Sequence, residues 1–161
     1  MTRPRIAIVI ANRQRKMPLD RGALRAAVRT VLLGEGIEEA EVSLAFVTDA
    51  EIAELNWRFL RHEGPTDVIT FPLNDTEETP LTAEIVISVD TALREAKRRE
   101  LPVELELTLY AVHAALHLCG YDDRTAPDRR RMRARERKYL RTLTTERTRE
   151  NKPPRPPRRR A

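Results

Sequence analysis

Apolar residues recur along this chain with two different periods. Ile6, Ile8, Val9 and Ile10 form a β-branched run after Pro4, which predicts a strand over residues 5–11. Asp20 is a capping residue, and Leu24, Ala27, Val28, Val31 and Leu32 then repeat at spacings of three and four up to Gly34 and Gly36, as an amphipathic helix with its stop requires. Val42, Leu44 and Phe46 alternate, as in a half-buried strand. Thr48 or Asp49 caps the next helix, which carries Ile52, Leu55 and Phe59 on one face and ends near Arg61. Gly64-Pro65 breaks the chain, Val68 to Phe71 is a short strand closed by Pro72, and a polar loop from Asn74 to Thr79 leads to a strand over Glu84 to Val89.

A helix over 90–99 with Asp90 as its cap follows, and Pro102 then opens the longest apolar helix. Its core stripe reads Leu105, Leu109, Val112 and Leu116. Glu104 and Glu106 lie near its positive end, and Gly120 provides a left-handed exit. Thr125 to Asp128 resembles a capping box for a last helix, whose apolar positions are Met132, Tyr139, Leu140 and Leu143. Together these elements predict an α+β fold in which a mixed β-sheet of about four strands is covered by helices. Residues 1–148 form a single domain. Residues 149–161 are expected to be a disordered Pro/Arg-rich tail, since from Asn151 onward there are four prolines and no core-forming side chain.

Composition adds three bounds. No apolar run approaches the roughly 20 residues that cross a bilayer, and the N-terminal run ends at Asn12 and Arg13, too soon for a secretory signal. One cysteine, Cys119, excludes an intramolecular disulfide and fits a reducing cytoplasm. The net charge of +5 is unevenly spread: residues 1–150 balance at 25 basic and 25 acidic, while residues 151–161 carry five basic residues and no acidic one. The last helix adds Arg129, Arg130, Arg131, Arg133, Arg135, Arg137, Lys138 and Arg141 on every face. Most of these are solvated, yet such a basic end gives sequence-independent affinity for a polyanion.

The candidate chemistry lies in His113-Ala-Ala-Leu-His117-Leu-Cys-Gly-Tyr-Asp122-Asp123. Two histidines four apart on a helix project from one face, and a turn at Gly120 can fold Asp122 or Asp123 back onto them. Neutral imidazole and carboxylate suit Zn²⁺, and three protein ligands leave one position for water. Ala114 occupies the place of the Glu in the His-Glu-x-x-His metalloprotease motif, so peptide hydrolysis by that route lacks its base.

Three ordered segments also carry a family resemblance. His113 to Asp123 resembles the signature His-Gly-x-Leu-His-Leu-x-Gly-Tyr-Asp-His of the YbeY family of bacterial metal-dependent endoribonucleases. Pro65-Thr66-Asp67-Val68-Ile69-Thr70-Phe71-Pro72 resembles the family's Pro-Thr-Asp-Val-Leu-Ser-Phe-Pro strand, and Ala83 to Ser88 resembles Gly-Asp-Ile-Val-Ile-Ser. The resemblance spans about residues 5–143. It implies a zinc ion and cleavage of single-stranded RNA in rRNA maturation at the small-subunit 3′ end and in ribosome quality control, with rRNA and the small ribosomal subunit as partners and neither DNA nor membrane among them.

By the same resemblance His113, His117 and Asp123 are the metal ligands. Asp123 departs from the family's third histidine, and its added negative charge leaves bound water less acidified. Ala114 replaces the family's glycine. Leu60 stands where the family commonly has a catalytic arginine, so the flanking Arg58 and Arg61 become the candidates, and the one-residue shift to Arg61 turns a side chain by about 100 degrees on a helix. His62 is a further candidate acid or phosphate contact. Asp122 is expected to support the ligands, and Thr66, Asp67 and Ser88 to orient substrate. Two rival readings keep the ligands: a non-catalytic ribosome-associated factor with a structural metal closed by four ligands, and a metal-dependent hydrolase of another substrate.

Overall fold

The structure, a computed structural model, describes residues 3–75 and 77–153. The alternating segments pair into one mixed sheet of β1 (Arg5–Asn12), β2 (Glu39–Val47), β3 (Val68–Pro72) and β4 (Leu81–Ser88), in the order β1-β2-β4-β3. β1, β2 and β4 are parallel, with Ile8 opposite Val42 and Leu44 opposite Ile85, while β3 runs antiparallel to β4 with Val68 opposite Ile87. Five helices join them: α1 (Arg21–Gly34), α2 (Asp49–Leu60), α3 (Val89–Arg99), α4 (Val103–Leu118) and α5 (Ala126–Glu150).

Strand alternation divides the apolar side chains between two cores of unequal size. Ala40, Val42, Leu44, Phe46, Ile85 and Ile87 face the larger one, which they share with Val28 and Val31 of α1, Val89 and Ala92 of α3, Val112 and Leu116 of α4, and Met132 and Tyr139 of α5. On the opposite face Ala45, Val47, Val86 and Ile69 meet Ile52 of α2. The free edge of β1 is blunted by arginines from α1: Arg21 donates to the Ile10 carbonyl at 3.2 Å and Arg25 to the Ile8 carbonyl at 3.3 Å.

Local chemistry sets the boundaries, and several differ from the sequence reading. Asp20, Thr48 and Thr125 cap their helices through side-chain oxygens as expected. The cap of α3 is Ser88, not Asp90, because the Ser88 hydroxyl accepts from the Thr91 amide; Asp90 instead accepts from the Asp49 amide at 2.7 Å and pairs with Lys16. β4 begins at Leu81, three residues before the expected start. Phe59 is 58 % exposed, since the inward face of α2 is filled by Ile52 and Asn56.

α4 also departs from its predicted stripe: Leu105 is exposed while Glu106 and Leu107 are buried. The helix is apolar nearly all round, so no single stripe marks its inner face, and the Glu106 carboxylate enters the core against Arg99 at 3.3 Å. α5 continues to Glu150, so Arg149 and Glu150 of the expected tail are helical, and residues 154–161 of it lie outside the described residues. Where α5 crosses α1, Gly34 lies beneath Tyr139. A methyl group at that glycine would sit 2.5 Å from the tyrosine hydroxyl oxygen and 2.7 Å from a ring carbon.

Candidate metal centre

α4 leaves the core at its C-terminal end, and that end carries both histidines. Cys119 caps the helix, Gly120 takes φ 95°, and the amides of Gly120 and Tyr121 donate to the carbonyls of His117 at 3.0 Å and Leu116 at 3.1 Å. This is a Schellman turn, which reverses the chain over the last helical turn. Tyr121 anchors the reversal by donating its hydroxyl to Glu35 at 3.1 Å; the Tyr139 hydroxyl, 2.8 Å away, meets the same carboxylate. Asp122 accepts from the Asp123 amide at 2.8 Å, and Arg129 donates to the Asp123 and Arg124 carbonyls. The expected support from Asp122 therefore acts on the backbone of Asp123.

The reversal brings three donor atoms together. His113 Nε2 and His117 Nε2 are 3.1 Å apart, and Asp123 Oδ2 lies 3.5 Å from each. A tetrahedral ion with ligand bonds of roughly 2.0–2.1 Å has donor-to-donor edges of about 3.3 Å, which these three distances bracket. Among the described residues this is the one group of three or more His, Cys, Asp or Glu side chains with converging donor atoms, and it offers three protein ligands, not four. All three side chains are partly exposed. Cys119 packs against the main core, and burial pushes its thiol up to about 12, far from the thiolate a metal needs.

Glu136 of α5 completes the arrangement, at a position that neither helix period nor turn chemistry marks in the sequence. Its Oε1 lies 2.6 Å from His113 Nδ1, so Nδ1 carries the hydrogen and the Nε2 lone pair is directed toward Asp123 and His117. Its one sequence signal is that it is the lone acid between Arg129 and Arg141 on a helix otherwise dense in cations. Burial disfavours the charged form of His113, yet the hydrogen bond and charge of Glu136, with Asp123 and Asp67 behind it, hold the imidazole above its ordinary value.

Among the described residues, the other expected residues make no hydrogen bond or ion pair with the triad. Arg58 lies over the Phe59 ring and Arg61 over the Trp57 ring, each 5.6 Å from the centroid. Among the described residues neither side chain makes a hydrogen bond or ion pair. His62 is exposed, its amide bonded to the Asn56 carbonyl. Ser88 is fully buried and donates to Asp49 at 2.7 Å, which removes it from the surface. Asp67 opens β3 and accepts from the Val68 amide and the Thr66 hydroxyl, and its charge is felt at His113. Ala114 is fully buried, so its methyl group points into the core and away from the ligands.

Comparison with known proteins follows the same lines. Residues 9–144 match the family model described as endoribonuclease YbeY. A protein of that name from Syntrophus aciditrophicus is 41 % identical over 73 % of this chain and 76 % of its own, and one from Syntrophotalea carbinolica is 38 % identical over 80 % and 90 %. The solution structure of TM1509 from Thermotoga maritima superposes with a TM-score of 0.63 at 26 % identity, covering 95 % of this chain and 99 % of that one. Among the described residues no helix is long and apolar enough to cross a membrane.

Proposed function

The chain belongs to the endoribonuclease YbeY family, and on that premise we propose that it is a zinc-dependent endoribonuclease of single-stranded RNA. Its setting in this reading is the cytoplasm, where it matures the 3′ end of small-subunit rRNA and takes part in ribosome quality control, with the small ribosomal subunit as partner. Residues 1–148 are the working domain, and the basic segment 149–161 adds grip on RNA. The observation that carries the reading is the triangle of His113, His117 and Asp123, three converging donors on partly exposed side chains.

The three side chains would hold Zn²⁺, which when bound supplies a Lewis acid for the phosphoryl oxygens and an acidified water. The protein contributes the rest. Glu136 fixes His113 in the tautomer whose Nε2 can bind a cation, and the Schellman turn fixes the Asp123 carboxylate. Arg58 or Arg61, both free of carboxylate partners among the described residues, supplies the positive charge that the phosphodiester needs as it gains negative charge. Three ligands in place of four favour this reading over a structural metal in a non-catalytic factor.

The test is cleavage of single-stranded RNA by zinc-loaded protein freed of other nucleases. His117→Ala is expected to lose both stoichiometric metal and cleavage. Cutting that persists in this variant sinks the assignment.

A further inference from the structure

The end of α2 carries an exposed ring that the proposed chemistry leaves without a task. Trp57 is the only tryptophan in the chain, and it is 51 % exposed although indole is among the side chains that gain most from burial. The Arg61 guanidinium lies over its face, 5.6 Å from the ring centroid. That guanidinium has no carboxylate within bonding distance among the described residues, although Glu54 and Glu63 are near in sequence. Other arginines of this region are paired: Arg13 with Glu51, Arg94 with Asp49 and Arg98 with Glu95. Arg61 also ends α2 with φ 56°, a left-handed conformation costly for a residue with a side chain. Trp57 and Phe59 are two apart on the helix, about 200 degrees, so the Trp57 pair and the Phe59–Arg58 pair lie on different sides and do not form one flat surface.

We infer that Trp57, with Arg61 over its face, is a nucleobase-stacking subsite for a single-stranded stretch of the RNA substrate. Every base has a π-face that an indole can stack on, and the guanidinium adds a cation for the neighbouring phosphate. The loop from Arg61 to Asp67 leads from the end of α2 to the start of β3, and its seven residues span at most about 25 Å when extended. Asn56 donates to the Gly64 carbonyl at 3.0 Å, which ties the loop back to α2 and keeps the two ends in fixed relation. The inference rests on RNA being the substrate, but it makes its own demand on Trp57.

A lone tryptophan makes the test direct. Titration of the intact protein with an oligouridylate of about 12 nucleotides should quench the Trp57 emission in a saturable manner, and duplex RNA of equal length should quench far less. Trp57→Ala should bind the same oligomer, measured by anisotropy of a labelled strand, about 5- to 150-fold more weakly while keeping full zinc content. Trp57→Phe should recover much of that loss, and Arg61→Gln should reduce the salt slope by about 0.7, one phosphate on a single strand. Binding without quenching, or affinity unchanged in Trp57→Ala, overturns the inference and leaves the ring for a protein partner. His117→Ala keeps the two readings separable: it should still show the quench, so lost cleavage with retained quenching counts against the metal chemistry alone.

Discussion

The two helices that bear functional candidates are built in opposite ways. α4 is enclosed by α1, α3, α5 and the sheet, and its histidines emerge only where it leaves that enclosure, at a turn held by Gly120, Tyr121 and Glu35. α2 lies alone on the other face of the sheet, buries only Ile52 and Asn56 completely, and ends in exposed Trp57, Phe59 and Leu60. A metal site needs donor atoms held to within tenths of an ångström, so it is placed where packing is dense. A surface that receives a flexible strand of RNA gains from standing clear of the core. The difference teaches that precision and access have been assigned to separate faces of one sheet.

The strongest way to break this contrast is to compare two phenylalanines. Phe46 is fully buried between β2 and the helices, and Phe46→Ala should cost about 3–5 kcal/mol in urea unfolding. Phe59→Ala, whose ring meets Phe71 edge-on at 5.5 Å and the Arg58 guanidinium at 5.6 Å and stands largely in solvent, should cost no more than about 1 kcal/mol. Equal losses would show that the α2 face is as tightly packed as the other.

A smaller effect sharpens the account of the metal site. Glu136→Ala removes the acceptor of the His113 Nδ1 hydrogen and is expected to weaken zinc about 10- to 100-fold in competition with a chelator. Unchanged affinity would mean that packing alone fixes the imidazole.

The smallest effect concerns the one firm end of α2. Asp49 is partly buried, which acts to raise its carboxyl, but hydrogen bonds from Arg94, Ser88 and Thr91 prevail and hold it below the usual range. A lowered folded-state value contributes stability that is present above the unfolded value near 3.8 and is lost as pH falls through the folded one. Asp49→Asn should therefore lower the denaturation midpoint at pH 6 and leave less to lose below pH 4. A parallel displacement at both pH values would exclude the carboxylate as the cause.

The parts legible in the sequence were those set by neighbouring residues. Alternation at Val42, Leu44 and Phe46 marked β2, and the glycine after Cys119 marked the turn that returns Asp123 to the histidines, because helix period and turn chemistry act over a few residues. Glu136 stayed hidden because its approach to His113 depends on the register of α5 against α4, which Met132 and Tyr139 set within the core. Glu106 misled in the other direction. A carboxylate in the first turn of a helix reads as exposed, and only its pairing with Arg99 across two helices explains why it is buried while Leu105 is not. On α2, the sequence placed Phe59 on an inward face that stops short of it, since the buried residues of that helix end at Asn56 and Phe59 stands 58 % exposed.

The glycine beneath Tyr139 links these scales. Tyr139 lies three residues beyond Glu136 on the same helix, so the clearance that Gly34 allows also decides how deeply α5 settles and whether Glu136 comes within 2.6 Å of His113. The geometry of the candidate metal site is thus set in part by the absence of a methyl group on a helix that carries none of its donors, and residue 34 belongs to that site by leverage although it touches none of it.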